Sequence, residues 1–216
     1  MDIPQLSADL RAGTKTAHRA VESTPFARLL FSGRAQRAMY VEYLRALHPI
    51  YAALEAALER LGDHSVVRAV RDPDLSRTAA LEADLRWFTG AEEWRETLPR
   101  PESVAYACRI EQAADADPAL LIGHHYTRYL GDLSGGQMLR RIVVRTFDLK
   151  AETGAAFYAF PAILDPEAYK VAYRARLDGL ALSASVVSAV VAEACLAFDL
   201  NHRLFEALAP TPSPAG

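Results

Sequence analysis

HHYTRYLGDLSGGQ, residues 124–137, is the stretch on which the reading of this chain turns. Apolar residues recur on both sides of it at helical spacing, so 118–147 reads as one helix, yet Gly131, Gly135 and Gly136 fall inside. Each glycine in a helix interior costs about 1 kcal/mol relative to alanine, and the three together forfeit roughly 3 kcal/mol. One account is a loop between two helices, with Ser134 as N-cap and Gln137 completing a capping box of the S-x-x-Q kind. The other is a flat ligand pressed against the backbone, where only glycine leaves no Cβ in the way. Arg128, Asp132 and Gly135 or Gly136 are three or four residues apart and share a helix face, so a carboxylate would border bare backbone. A phosphate loop is disfavoured, since no strand precedes the glycines and no GKS or GKT follows.

Outside this stretch the periodicity is helical almost everywhere. Tyr40, Leu44, Leu47, Tyr51, Leu54, Leu58 and Leu61 mark one stripe between Ser32 and Gly62, with a kink expected at Pro49. Further helices are expected at about 6–22, 74–89 (closed by Gly90), 101–115, 166–182 and 185–208. Paired valines at 143–144, 186–187 and 190–191 sit inside helical patterns, so the fold class is all-α. The 216 residues contain no internal repeat and no dividing linker, which predicts one domain over 1–208 and a frayed tail over 209–216.

Composition narrows the function classes. Half the residues are hydrophobic and a quarter charged, the balance of a soluble globular protein, and a net charge of −3 gives no general case for nucleic acid. No apolar run is expected to reach the length of a membrane span, and the first residues lack the basic and apolar regions of a signal peptide, so the expectation is a cytoplasmic protein without a membrane anchor. Cys108 and Cys195 lie far apart without metal-ligand spacing and are read as buried free thiols. The basic residues are nearly all arginine and alanine is abundant, which suits a GC-rich bacterial coding sequence.

With its flanks, HHYTRYLGDLSGGQ closely resembles the distal helix of heme oxygenases. TKTAHRAVE, residues 14–22, resembles the family's proximal segment, which implies that His18 ligates the iron and that Glu22 holds its other ring nitrogen. AYKVAYRARL, residues 168–177, resembles the helix whose cations meet the heme propionates; Lys170 and Arg174 would do so with Arg11 and Lys15, although the family often has lysine where this chain has Arg11. AFDLNHRLFEAL, residues 197–208, is similar to the last core helix, implying that Phe198, Asn201 and Phe205 stand around the heme. The same resemblance makes Tyr51 a distal-pocket tyrosine, Tyr126 a residue packing over the heme, and Thr127 and Arg128 members of a distal polar network.

It further implies a catalytic set of Asp132, Arg128, Gly131 and Gly135, with Gly136 against the cofactor on a distal helix broken at its three glycines. In that family heme b is both cofactor and substrate, cleaved with O2 and donated electrons to biliverdin, carbon monoxide and ferrous iron. The α-meso position is expected by analogy. No reductase or flavin motif occurs, so the electrons would come from a soluble partner such as a ferredoxin or a flavoprotein reductase.

Other accounts explain less. In isolation, His18 reads as a surface histidine, Lys170 and Arg174 as a solvated basic face, and the two phenylalanines as core packing. His124 and His125 point about 100° apart on a helix and do not chelate one ion together. A di-iron bundle would need Glu-x-x-His pairs, which are lacking, and a thiamin-degrading enzyme of similar fold would need a base beside Cys108. The alternative from another class is a non-catalytic heme carrier or buffer, against which Asp132 speaks, since a carrier has little use for a carboxylate beside an open axial position.

Overall fold

In the computed structural model, which describes residues 5–90, 92–150 and 153–210, the chain is all-helical, with no strand among the described residues. Helix α1 (Leu6–Gly13) leads almost directly into α2 (Lys15–Glu22), so the expected 6–22 helix forms with one irregularity at Thr14. There the buried hydroxyl donates to the Leu10 carbonyl at 2.7 Å, a back-bond of the kind that bends helices. Two short helices, α3 (Pro25–Phe31) and α5 (Ser65–Val70), were not anticipated, because each is too brief to show a period. The long stripe is α4 (Arg37–Arg60), a continuous helical run through Pro49.

Helix α6 (Thr78–Thr89) starts later than expected, after a 3-10 turn at Pro73–Leu75, and ends as expected on Gly90 at φ 90°. Helix α7 (Pro101–Ala116) follows closely the expected bounds. The 118–147 run is continuous, opening with a 3-10 turn at Pro118–Leu120 and passing through α8 (Leu121–His125), a π-helical turn at Tyr126–Leu130 and α9 (Gly131–Thr146). The capping-box reading therefore fails: Ser134 lies within α9, and Gln137 Nε2 donates instead to the Tyr158 carbonyl at 3.0 Å. Nor is the helix broken at its glycines, since the departure from α geometry lies one turn earlier, in the π turn. Such turns concentrate at functional positions. Helix α10 (Pro166–Asp178) stops short of the expected 182, at Gly179.

The last helix, α11 (Ala184–Leu208), is the axis of the fold and packs on α1, α2, α3, α4, α7 and α8. By length and composition it could cross a membrane, contrary to the expectation that no apolar run suffices, but Val187, Val190, Ala194, Ala197, Leu204 and Leu208 are buried in the core. Its approach to α8 depends on Gly123, where a Cβ would lie 2.7 Å from the Ala194 backbone nitrogen and 3.1 Å from the Val190 carbonyl oxygen. Sequence reasoning passed over that glycine. Neither cysteine is buried as expected: Cys108 is exposed and Cys195 partly so, though both are free. Residues 211–216, most of the tail expected to fray, lie outside the described residues.

Candidate active site

Two adjoining cavities open between α2 and the run from Tyr126 to Leu139, one of about 410 Å³ inside and one of about 1000 Å³ toward the surface. His18, Glu22, Tyr126, Arg174 and Phe198 line both. His18 projects from α2 with its side chain 52% exposed, and its Nδ1 lies 3.5 Å from Glu22 Oε2 one turn on. The ring meets Phe198 edge-on at 5.5 Å between centroids. With Nδ1 committed to Glu22 and one flank to Phe198, Nε2 is the nitrogen left to act as a ligand.

Gly131, Gly135 and Gly136 line the inner cavity together with Asp132. A Cβ added at Gly131 or Gly135 would meet no described atom within 4 Å, so these two glycines face open space and not a packed neighbour. Gly136 differs, since a Cβ there would reach Tyr158 Cδ1 at 3.3 Å. The helix weakness therefore has two causes: bare backbone toward the cavity at two positions, and close packing at the third.

Behind the glycines runs a buried polar chain. Tyr51, from α4, donates a short hydrogen bond to Asp132 Oδ2. Arg128 Nε donates to Tyr51 Oη at 3.1 Å, and its Nη1 donates to Asn201 Oδ1 at 2.8 Å. Burial pushes the Asp132 carboxyl above the ordinary carboxylate range, an effect that Arg128 and the Tyr51 hydroxyl only partly offset. Burial opposes the Arg128 charge too, but Tyr51 and Asp132 more than compensate, and the guanidinium stays ionised. The chain thus places a readily protonated carboxyl at the cavity wall with an ion and a phenol behind it.

The other anticipated residues fall around the same space, with two exceptions. Thr127, Asn201 and Phe205 line the inner cavity, and Arg11 and Lys15 line the outer one, joined there by Arg19, which was not anticipated. Tyr51 lines neither and reaches the site only through Asp132 and Arg128. Lys170 is the other exception, being 6% exposed and held by Glu167 Oε1 at 2.7 Å and Ser134 Oγ at 3.3 Å, so it lines neither cavity and does not share the rim with Arg174.

Several participants escaped the sequence reading. Tyr43, Leu139 and Tyr158 complete the inner wall, yet in sequence they are ordinary apolar positions. His124 and His125 are fully buried and do diverge: His124 Nε2 lies 2.9 Å from Glu193 Oε1, and His125 Nδ1 lies 2.9 Å from Tyr173 Oη. Arg109 forks onto the same Glu193 from α7. Burial works against the Glu193 charge, but hydrogen bonds from His124 and Arg109 outweigh it and hold the carboxyl down at about 2.

Comparison with known proteins agrees with this geometry. The heme oxygenase family model matches residues 4–207. A heme oxygenase 1 from Nostoc is 38% identical over 204 residues, covering 94% of this chain and 85% of that protein. The solved heme oxygenase from Leptospira interrogans superimposes with a TM-score of 0.91 at 35% identity, covering 94% of this chain and 100% of the other. The heme complex of heme oxygenase-1 from the cyanobacterium Synechocystis gives 0.90 at 34%, covering 95% and 92%. A cavity bounded by a histidine, two bare glycines and a rim of cations fits a flat, iron-bearing dicarboxylate, and with relatives of this similarity along nearly its whole length the chain belongs to the heme oxygenase family, whose function is the degradation of heme to biliverdin.

Proposed function

We propose that the chain cleaves heme b at the α-meso position with O2 and donated electrons, through the residues gathered on the two cavities. Heme is held by His18, with Glu22 orienting the imidazole, and its propionates meet Arg11, Lys15 and Arg174 at the outer cavity. Bound there, heme supplies the redox chemistry and the carbon skeleton that is oxidised. The observation carrying this reading is that His18 and the open Cβ positions of Gly131 and Gly135 line one cavity, where these residues would hold heme and it would supply the chemistry of O2 activation.

The protein's contribution is placement and protonation. Phe198 edge-on to His18 limits rotation of the ligand, and the arginine and lysine rim limits rotation of the substrate in its own plane, which selects one meso carbon. Asp132, with its proton affinity raised by burial and its Oδ2 accepting from Tyr51, passes a proton into the cavity through water. Arg128 and Asn201 keep that carboxyl and the tyrosine in place.

Arg11, Lys15 and Arg19 are exposed at the mouth, where they favour an acidic electron donor such as a ferredoxin or a flavoprotein reductase. A cytoplasmic, bacterial setting belongs to the same proposal, supported by the arginine- and alanine-rich composition and by bacterial relatives. The test is to add heme, O2 and a reductant to the purified protein. Decay of the Soret band into the spectrum of biliverdin, identified as a single isomer by chromatography, is the expected result; a stable heme spectrum under turnover conditions would leave a heme carrier.

A further inference from the structure

A third cavity, of about 220 Å³, is separate from the two already described and shares no lining residue with either. It opens between α4 and the segment 94–100, which leads from the 3-10 turn at Glu92–Arg95 into α7. Its volume falls below the roughly 300–1,000 Å³ of sites for drug-sized ligands, so an occupant must be small.

The wall of this cavity holds N–H groups that no described residue answers. Trp94 is 5% exposed, and its indole N–H, which can only donate, finds no acceptor. A buried tryptophan N–H ordinarily has one. The Nε–H groups of Arg45 and Arg100 are buried and equally without a hydrogen bond. Leaving water uncompensated is costly for each of these donors, and a group that only accepts would meet all three.

The balance of charge favours the same kind of group. Arg95 and His48 are already paired with Glu82, at 3.0 and 3.1 Å. Arg45 and Arg100 have one carboxylate between them, Glu42, at 2.7 Å from Arg45 Nη1 and 3.9 Å from Arg100 Nε. Arg100 also donates from Nη1 to the Ala207 carbonyl at 3.2 Å, a partner without charge. Among the described lining residues one positive charge is therefore in excess, and the positive end of α7 starts at the next residue, Pro101. The rest of the wall is largely apolar, with Ala46, Pro49 and Pro99 beside Leu98, whose side chain is left 88% exposed.

We propose that this cavity binds a small organic monocarboxylate. Its oxygens accept from the Trp94 indole and from Arg45 and Arg100, its single charge matches the excess, and its apolar body lies against Pro49, Leu98 and Pro99. An inorganic anion would meet the donors but not the apolar wall, and a dianion would overshoot the charge. The site stands independently of the heme reading, since none of its residues lines a heme cavity.

The probe is benzoate, with benzamide as its uncharged counterpart, added to the full chain with and without heme. The chain has two tryptophans, so proton–nitrogen correlation NMR follows two indole N–H signals, and Trp94→Phe assigns them. Benzoate should move the Trp94 signal downfield to saturation and leave that of Trp87 in place. Benzamide should bind at least about tenfold more weakly, the worth of a hydrogen bond to a charged group. In calorimetry, Arg45→Met and Trp94→Phe should each lose benzoate affinity by a similar factor while keeping wild-type heme affinity. Equal binding of benzamide and benzoate would leave only an apolar hole, and inorganic phosphate displacing benzoate at equal concentration would make this a general anion site; either result overturns the proposal. So would an unmoved Trp94 signal, or a benzoate shift abolished by loading heme, which would place the probe in the heme cavity. These comparisons on the unaltered chain decide the matter even where a variant fails to fold.

Discussion

Glycine-to-alanine substitutions along the run from α8 to α9 should change stability with opposite signs. At Gly131 and Gly135 a new methyl group meets no described atom within 4 Å, so in the heme-free protein only helix propensity acts, and each alanine stabilises by up to about 1 kcal/mol. For a chain of this size that raises Tm by roughly 2–4 °C per substitution. At Gly123 the methyl would lie 2.7 Å from the Ala194 nitrogen and 3.1 Å from both the Glu193 carbonyl carbon and the Val190 oxygen. These are backbone atoms of α11, so no side chain can yield, and helix must part from helix. Overpacking of this kind costs about 1–3 kcal/mol, which offsets the propensity gain and leaves a net loss of up to about 2 kcal/mol. The parting should also pull Arg128 away from Asn201, five residues along the same run.

Thermal melts of the heme-free variants by circular dichroism decide the stability half of the argument, and heme titration decides the rest. Gly135→Ala should melt higher than wild type yet bind heme more weakly, because its methyl occupies the face where the macrocycle is proposed to rest. Gly123→Ala should melt lower. A Gly135→Ala protein that melts lower, or that binds heme with wild-type affinity, would refute the idea that this glycine is kept bare for the ligand; a Gly123→Ala protein as stable as wild type would refute the close approach of α8 to α11.

Replacing His18 with alanine should abolish biliverdin formation, with added imidazole restoring part of it; normal turnover and an unchanged ferric spectrum would exclude His18 as ligand. Asp132→Asn should fold, bind heme through His18 and form little biliverdin. Because burial raises the Asp132 proton affinity, the folded state binds this proton more tightly than the unfolded chain, so ionised Asp132 costs stability as pH rises through its folded pKa. The asparagine variant should therefore be the more stable one at pH 7 in denaturant titrations, and a loss of stability there would assign Asp132 a structural role. Glu193 has the opposite sign. Its carboxyl is depressed from 4.5 to about 2, so its contacts with His124 and Arg109 contribute about 3 kcal/mol above pH 4.5 that is lost as pH falls toward 2. Glu193→Gln should remove that part of the acid transition, and an unchanged acid limb would show that His124 and Arg109 contribute no such stability.

The sequence by itself determined the all-helical class and most helix bounds, because apolar spacing and terminal residues such as Gly90 act through neighbours three or four places away. Which segments meet at the site was implied by the resemblance of two long motifs, around His18 and Asp132, to one family, and residues of both motifs line the inner cavity. Tertiary structure alone decided what local rules could not reach. DLSGGQ satisfies a capping box as well as a ligand-facing helix, and only the burial of Asp132 beneath Tyr51 and the empty space beside Gly135 separate the two. Gly123 looks like any helix glycine until α11 is laid against it, and Lys170 and Arg174, one turn apart on the same helix, part company because one meets Ser134 and the other the open cavity. Each of these depends on an atom brought near by packing between elements distant in the chain, and periodicity carries no information about such distances.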